Sequence, residues 1–329
     1  VIEENDSGGV VSGAKVVATG SALTHYNFIA NYGAPVRDKK YAIVAAVPMD
    51  TAGVKLIART SYSQAAEETS TPFDYPLTTR FDENDAILIM DRVLIPWENI
   101  FIYGDLDKFN SFGVASGFAN RMTMQGAIRL AVKLDFISGL LLKSLELTGT
   151  KDFRGVQTRL GEVLGWRSAV WALVDAMVYN PEPWVGGTVT PQFNAVQSYH
   201  WLGQAIYPRV REIIMQDLGS ALIYLPSSAK DFDSPEIRKY LDKFVRGSGG
   251  VDAETRVKTL KMMWDAVGTE FGGRHELYER NYQGSHEQVR IDVVLGHEGT
   301  GRADELRAFA EQAMGEYDLA GWTAPGLKD

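Results

Sequence analysis

The chain has 329 residues, of which 45% are hydrophobic and 23% charged; this is globular composition at about two domains' length, and it excludes disordered, collagen-like and low-complexity classes. There is no cysteine, so disulfides, thiolate-held metals and cysteine nucleophiles are excluded within these residues, and no metal site is expected. A net charge of −9, the absence of any apolar run near the ~20 residues that span a bilayer, and an acidic opening (Val1 to Asp6) unlike a signal peptide point away from nucleic acid and membrane and towards a cytoplasmic location.

Residues 9–103 read as β structure. Gly9 to Thr19 is rich in β-branched residues, Tyr41 to Pro48 is an apolar run closed by proline, and Val54 to Tyr62 and Ala86 to Pro96 repeat the pattern. Short strands separated by turn residues predict a small barrel or sandwich. From about Asn110 the period changes to that of helices. Gly126 to Leu147 places Leu130, Leu134, Ile137, Leu141 and Leu145 on one face, and Gly155 to Tyr179 runs to a stop at Asn180-Pro181. Further helices are predicted over Phe193 to Leu218, Asp252 to Asn281 as one piece, and Ala303 to Tyr317. The expected organisation is α+β: a β-barrel domain over residues 1–105 and a helical bundle over 106–329.

Within the predicted helix 252–281, Gly272 and Gly273 each cost about 1 kcal/mol relative to alanine and call for a reason. One is close approach of a planar or phosphate-bearing ligand, with Arg274 as anion partner and Tyr278 as stacking face; the other is a helix–helix contact with a charged outer face. The acidic run Asp82-Glu83-Asn84-Asp85 reads as a solvated turn in preference to a cation loop, for it lacks the alternation of oxygen ligands. Trp97 reads as a packing anchor between the two units. The five histidines show no metal-ligand spacing, and neither a nucleophile elbow nor a P-loop is present.

Taken together, Val11 to Thr19, Pro72 to Leu77, Arg80 to Ala86, Asp91 to Glu98, Leu225 to Ser228, Lys261 to Ala266 and Phe271 to Tyr282 resemble, in order and nearly end to end, the 4-hydroxyphenylacetate 3-monooxygenase oxygenase family. The resemblance implies an acyl-CoA-dehydrogenase-like fold, with a helical N-terminal domain, a middle β-barrel and a C-terminal four-helix bundle. It also implies a flavin-dependent aromatic monooxygenase. A separate NAD(P)H-flavin reductase supplies reduced FAD by diffusion, dioxygen converts it to a C4a-hydroperoxyflavin, and a para-substituted phenol of the 4-hydroxyphenylacetate type is hydroxylated ortho to its hydroxyl, giving a catechol.

Carried over by position, Thr19 and Ser21 match the family's strand end at the flavin. Arg274, Leu277, Tyr278 and Asn281 match its bundle contacts to the flavin, and Tyr32, Gly33, Ala34 and Pro35 fall in the loop that closes over the phenol. Pro35 stiffens that loop and leaves the choice of phenol open. The family's phenol-polarising arginine, tyrosine and histidine precede Val1, so the resemblance implies a chain whose N-terminal domain is missing and whose hydroxylation is inefficient. A homodimer or homotetramer is expected. The alternatives are a 4-hydroxybutyryl-CoA dehydratase-like flavoprotein, disfavoured by the lack of cysteine; an acyl-CoA-dehydrogenase-like one, with Glu276 or Glu279 as its carboxylate; and an inactive scaffold.

Overall fold

The structure, a computed structural model, describes residues 1–30, 35–82 and 84–323. Among the described residues seven strands precede the bundle: β1 (Glu3–Asn5), β2 (Gly8–Lys15), β3 (Tyr26–Ile29), β4 (Ile43–Pro48), β5 (Val54–Ala58), β6 (Ala86–Pro96) and β7 (Ile100–Tyr103). They form two antiparallel sheets, ordered β1-β2-β6-β5 and β3-β4-β7. Val11, Leu88, Met90, Val93 and Ile95 from the first sheet meet Ile29, Ala45 and Val47 from the second in one buried core. Along β6 the inward residues alternate up to Met90 and resume at Val93. The slip in phase occurs where β2 bulges between Val11 and Gly13, and Arg92 there has a φ of 55°. A helix, α1 (Tyr62–Thr69), lies between β5 and β6.

The remaining helices are α2 (Leu106–Ala115), α3 (Phe118–Thr148), α4 (Arg154–Tyr179), α5 (Phe193–Ile223), α6 (Pro235–Phe244), α7 (Ala253–Val267), α8 (Glu270–Asn281), α9 (His286–Gly299) and α10 (Arg302–Met314). Inward leucines of α3 pack with Val163, Val170 and Val174 of α4, with Tyr207, Val210 and Ile214 of α5, and with Leu260 and Met263 of α7. This is the bundle core that the sequence periodicity marks. Turn chemistry limits these helices: Gly117 in the left-handed region separates α2 from α3, and the Gln192 side chain caps α5 at Ala195 N, 2.7 Å away.

Two expectations are corrected. The predicted single helix over 252–281 is two helices. Thr269 leaves the helical region with a ψ of 177°, its Oγ1 caps Gly272 N at 3.3 Å, and the chain restarts as α8. Gly272 is needed for that tight restart, since a Cβ there would lie 2.7 Å from Val267 N and 2.8 Å from Val267 C, both backbone. Trp97 does not join the β region to the bundle: its Nε1 donates to Asn5 O at 3.0 Å, and its ring packs on Tyr103.

Two buried carboxylates hold the 71–81 segment on the bundle. Asp265, with no exposed surface, accepts from Leu77 N at 2.8 Å, from Thr78 N at 2.9 Å, and from the Thr78 and Thr269 hydroxyls. Asp74 pairs with Lys261 at 2.8 Å and accepts from Ala229 N at 2.9 Å. Buried charges are tolerable here because each is fully hydrogen-bonded. Among the described residues no helix is long and apolar enough to cross a membrane.

Candidate functional site

The α8 sequence divides into two faces at helical spacing. Gly272, His275, Glu276 and Glu279 face the bundle, whereas Arg274, Leu277, Tyr278 and Asn281 form the outward stripe. Leu277 is 61% exposed. At the start of that stripe, Arg274 meets the β unit: its Nε and NH2 donate to Asp85 Oδ2 and Oδ1, each at 2.7 Å, and Asp85 Oδ1 also accepts from Thr19 Oγ1 at 2.7 Å. One carboxylate thus gathers two of the predicted cofactor residues from elements far apart in sequence. The neighbouring Val17, two residues beyond β2, has a φ of 56°, a strained conformation for a β-branched residue.

The other predicted residues are distributed as follows. Tyr278 is half-buried, and its ring is packed by Arg129 at 4.4 Å and Arg274 at 5.3 Å, with Tyr282 at 4.9 Å. Its hydroxyl accepts from Arg129 NH1 at 3.3 Å. Asn281 is exposed and donates to Leu277 O of its own helix. Ser21 is not at this junction surface. It is buried, and its hydroxyl accepts from Asn27 Nδ2 of β3 at 2.8 Å. In the loop reading, Pro35 is exposed, and Tyr32, Gly33 and Ala34 lie outside the described residues.

Behind the stripe is a charged cluster that the sequence reading missed. Glu279 has a side chain 1% exposed; it accepts from Arg129 Nε at 3.2 Å and NH2 at 2.8 Å, and from Lys133 Nζ at 2.6 Å. Burial pushes the Glu279 carboxyl up, but hydrogen bonds and charge from Arg129 and Lys133 outweigh it and hold the group below the usual carboxylate range. Lys133 Nζ lies 3.0 Å from His275 Nδ1. Since the ammonium can only donate, Nδ1 accepts and the ring proton sits on Nε2. Burial, aided by Lys133 and Arg274, lowers the His275 pKa to about 3, so the ring is neutral at physiological pH. The available signal was Arg129 and Lys133, four residues apart beside an apolar stripe, where cations need a partner. Glu276 is likewise engaged, by Arg211 NH1 at 2.7 Å and by Arg280 NH2 at 2.5 Å. Glu276 and Glu279 are therefore anchored acceptors, a poor state for a proton-abstracting base. Among the described residues no cluster of three or more His, Cys, Asp or Glu could hold a metal.

Two sheets joined to a four-helix bundle with such a seam define an acyl-CoA-dehydrogenase-like fold. The same fold is present in an archaeal 4-hydroxybutyryl-CoA dehydratase structure, with a TM-score of 0.80 at 21% identity over 94% of this chain and 61% of that one. More specifically, the family model described as "4-hydroxyphenylacetate 3-hydroxylase C terminal" matches residues 109–311, and its partner, "4-hydroxyphenylacetate 3-hydroxylase N terminal", matches residues 1–102. The chain belongs to the 4-hydroxyphenylacetate 3-hydroxylase family. The second match corrects the expectation of a missing N-terminal domain, for residues 1–102 themselves carry the family's N-terminal model.

Among curated relatives, a Streptomyces globisporus (3S)-3-amino-3-(3-chloro-4-hydroxyphenyl)propanoyl-[peptidyl-carrier protein SgcC2] monooxygenase is 57% identical over 100% of this chain and 62% of its own length. A Rhodococcus 4-nitrophenol 2-monooxygenase oxygenase component is 57% identical over 99% of this chain and 63% of its own length. A crystal structure of the oxygenase component of 4-hydroxyphenylacetate 3-monooxygenase, complexed with FAD and 4-hydroxyphenylacetate, superposes with a TM-score of 0.85 at 29% identity over 95% of this chain and 64% of that one. This chain thus spans less than two thirds of the length of the curated relatives it matches, 62–63% for these two.

Proposed function

We propose that this chain is part of the oxygenase component of a two-component aromatic monooxygenase, and that it uses reduced FAD and dioxygen to hydroxylate a para-substituted phenol ortho to its hydroxyl. The observation that carries the reading is the joining of Thr19 and Arg274 through Asp85, which brings together the strand end and the helix stripe that the family resemblance assigns to the flavin.

The donor set fits that cofactor. Exposed Leu277 offers an apolar contact for a ring and exposed Asn281 an amide, while Arg274 and Thr19, both bound to Asp85, shape the wall between them. Room exists as well: a Cβ built at Gly20 or Gly273 meets nothing within 4 Å. When bound, reduced FAD supplies the electrons that activate dioxygen for transfer to the ring. The protein's part is to hold the cofactor between two rigid elements and to keep water from it. Neutral His275 and anionic Glu279, on the inner face of α8, tie that helix to Arg129 and Lys133 of α3 without offering a mobile proton. The three relatives act on or bind 4-nitrophenol, a 4-hydroxyphenyl group and 4-hydroxyphenylacetate, which supports a phenol bearing a para substituent.

The two units, residues 1–105 and 106–329, are proposed to form the two walls of this site. A separate reductase delivering flavin by diffusion, a homodimer or homotetramer, and a cytoplasmic setting complete the proposal. The test is product analysis. A polypeptide carrying these residues, supplied with FAD, NADH and a flavin reductase, should convert a para-substituted phenol to the catechol with oxygen from dioxygen. Oxidation of NADH with only hydrogen peroxide formed across a panel of such phenols would overturn the reading.

A further inference from the structure

We infer that Asp85 is a positioning residue for the proposed flavin site, fixing the distance between the Thr19 strand end and the outward stripe of α8. The inference rests on the flavin reading above and goes beyond it in naming the residue that sets the geometry.

The backbone around Asp85 is held on the β side. Ala18 N donates to Ala86 O and Gly20 N to Asn84 O, both at 2.9 Å, and Arg59 N donates to Asp85 O at 3.1 Å. The side chain then reaches across to the bundle, taking Arg274 side-on through two parallel hydrogen bonds, each 2.7 Å long. Both partners are sheltered, with side chains 22% (Asp85) and 9% (Arg274) exposed, so the pair is little screened by salt. A bidentate guanidinium–carboxylate pair fixes orientation as well as distance, which a single bond does not. The nearby link between Arg59 and Glu270 is of another kind, since Glu270 is 75% exposed on its side chain. Thr19 completes the arrangement by donating to the same oxygen that takes Arg274 NH2. Loss of the carboxylate therefore releases strand end and helix from each other at the point where both would touch the cofactor.

The experiment is anaerobic titration of reduced FAD into the wild-type chain, Asp85→Asn, Asp85→Glu and the control Asp82→Asn, with thermal melts of each. Asp82 serves as control because it is a carboxylate of the same acidic run whose Oδ1 accepts from Tyr62 N at the start of α1. In Asp85→Asn, reduced FAD should bind about tenfold more weakly or worse, the loss expected for one charge-assisted hydrogen bond. The visible circular dichroism of the bound flavin should change, the melting temperature should fall by only a few degrees, and Asp85→Glu should recover part of the affinity. Affinity in Asp85→Asn within about twofold of wild type, with the same flavin dichroism, overturns the positioning role and leaves the flavin reading standing. Equal loss in Asp85→Asn and Asp85→Glu, tracking a collapsed melt, also overturns it, by showing a purely structural residue. A wild-type chain that binds no flavin overturns the flavin reading and the inference with it.

Discussion

Glu279→Gln should destabilise the protein by an amount that follows from its surroundings. The carboxylate is 1% exposed on its side chain and serves Arg129 and Lys133, themselves 20% and 16% exposed. The amide keeps the volume but removes the charge, leaving two sheltered cations facing each other. Breaking a buried pair by removing one partner costs about 3–5 kcal/mol, and the lower end applies because Arg129 retains some water access. Unfolding entropy scales to about 0.7 kcal/mol per kelvin for a chain this long, so the melting temperature should drop by about 4 °C. Differential scanning calorimetry at pH 7 reads this directly. Lys133→Met in the same background removes one of the stranded cations and should restore about half of the loss, a coupling that a double-mutant cycle isolates. A Glu279→Gln melt within 1 °C of wild type (about the scan-to-scan scatter), or strictly additive losses, would refute the reasoning.

Three further outcomes follow from the same geometry. His275 is neutral in the folded chain with its pKa at about 3, whereas an unfolded histidine titrates near 6.5. The unfolded state therefore takes up the proton first as pH falls: stability is full above about 6.5 and declines below it, by about 2 kcal/mol at pH 5. Denaturant melts of His275→Asn, which keeps an acceptor near Lys133, should lose that slope, and an unchanged slope would contradict the assignment. Gly272→Ala should cost about 1–3 kcal/mol because its Cβ would strike the Val267 backbone, while Gly273→Ala, with nothing within 4 Å, should be neutral or stabilising by up to about 1 kcal/mol; equal melts for the two would show that the restart of α8 does not depend on Gly272. Asp265→Ala should raise protease sensitivity in the 71–81 segment, since it strips three hydrogen bonds that hold the segment down; unchanged cleavage would place its anchorage elsewhere.

The long bundle helices were legible in the sequence because their apolar residues recur at a period that survives burial, and because Gly149, Asn180-Pro181 and Pro191-Gln192 mark their ends. The short strands β1, β3 and β7 were not singled out, being too brief to show alternation. The break between α7 and α8 was hidden because apolar spacing continues through it; Gly268-Thr269-Glu270, a cap residue followed by an acid, was the signal that could have shown it. The site was half legible. Thr19, Arg274, Leu277 and Tyr278 could be carried over from a resemblance, but Asp85 lies 189 positions from Arg274, and no local pattern distinguishes its carboxylate from Asp82's. Its role exists only in the folded chain. The same holds for Glu279, whose neighbours come from a helix 150 residues away.

The most direct test of the central claim, that flavin binds across the strand end and α8, is hydrogen exchange of the chain with and without reduced FAD under anaerobic conditions. New protection is expected to concentrate in residues 17–21 and 273–282. Protection confined to other segments, or none at saturating flavin, would contradict it.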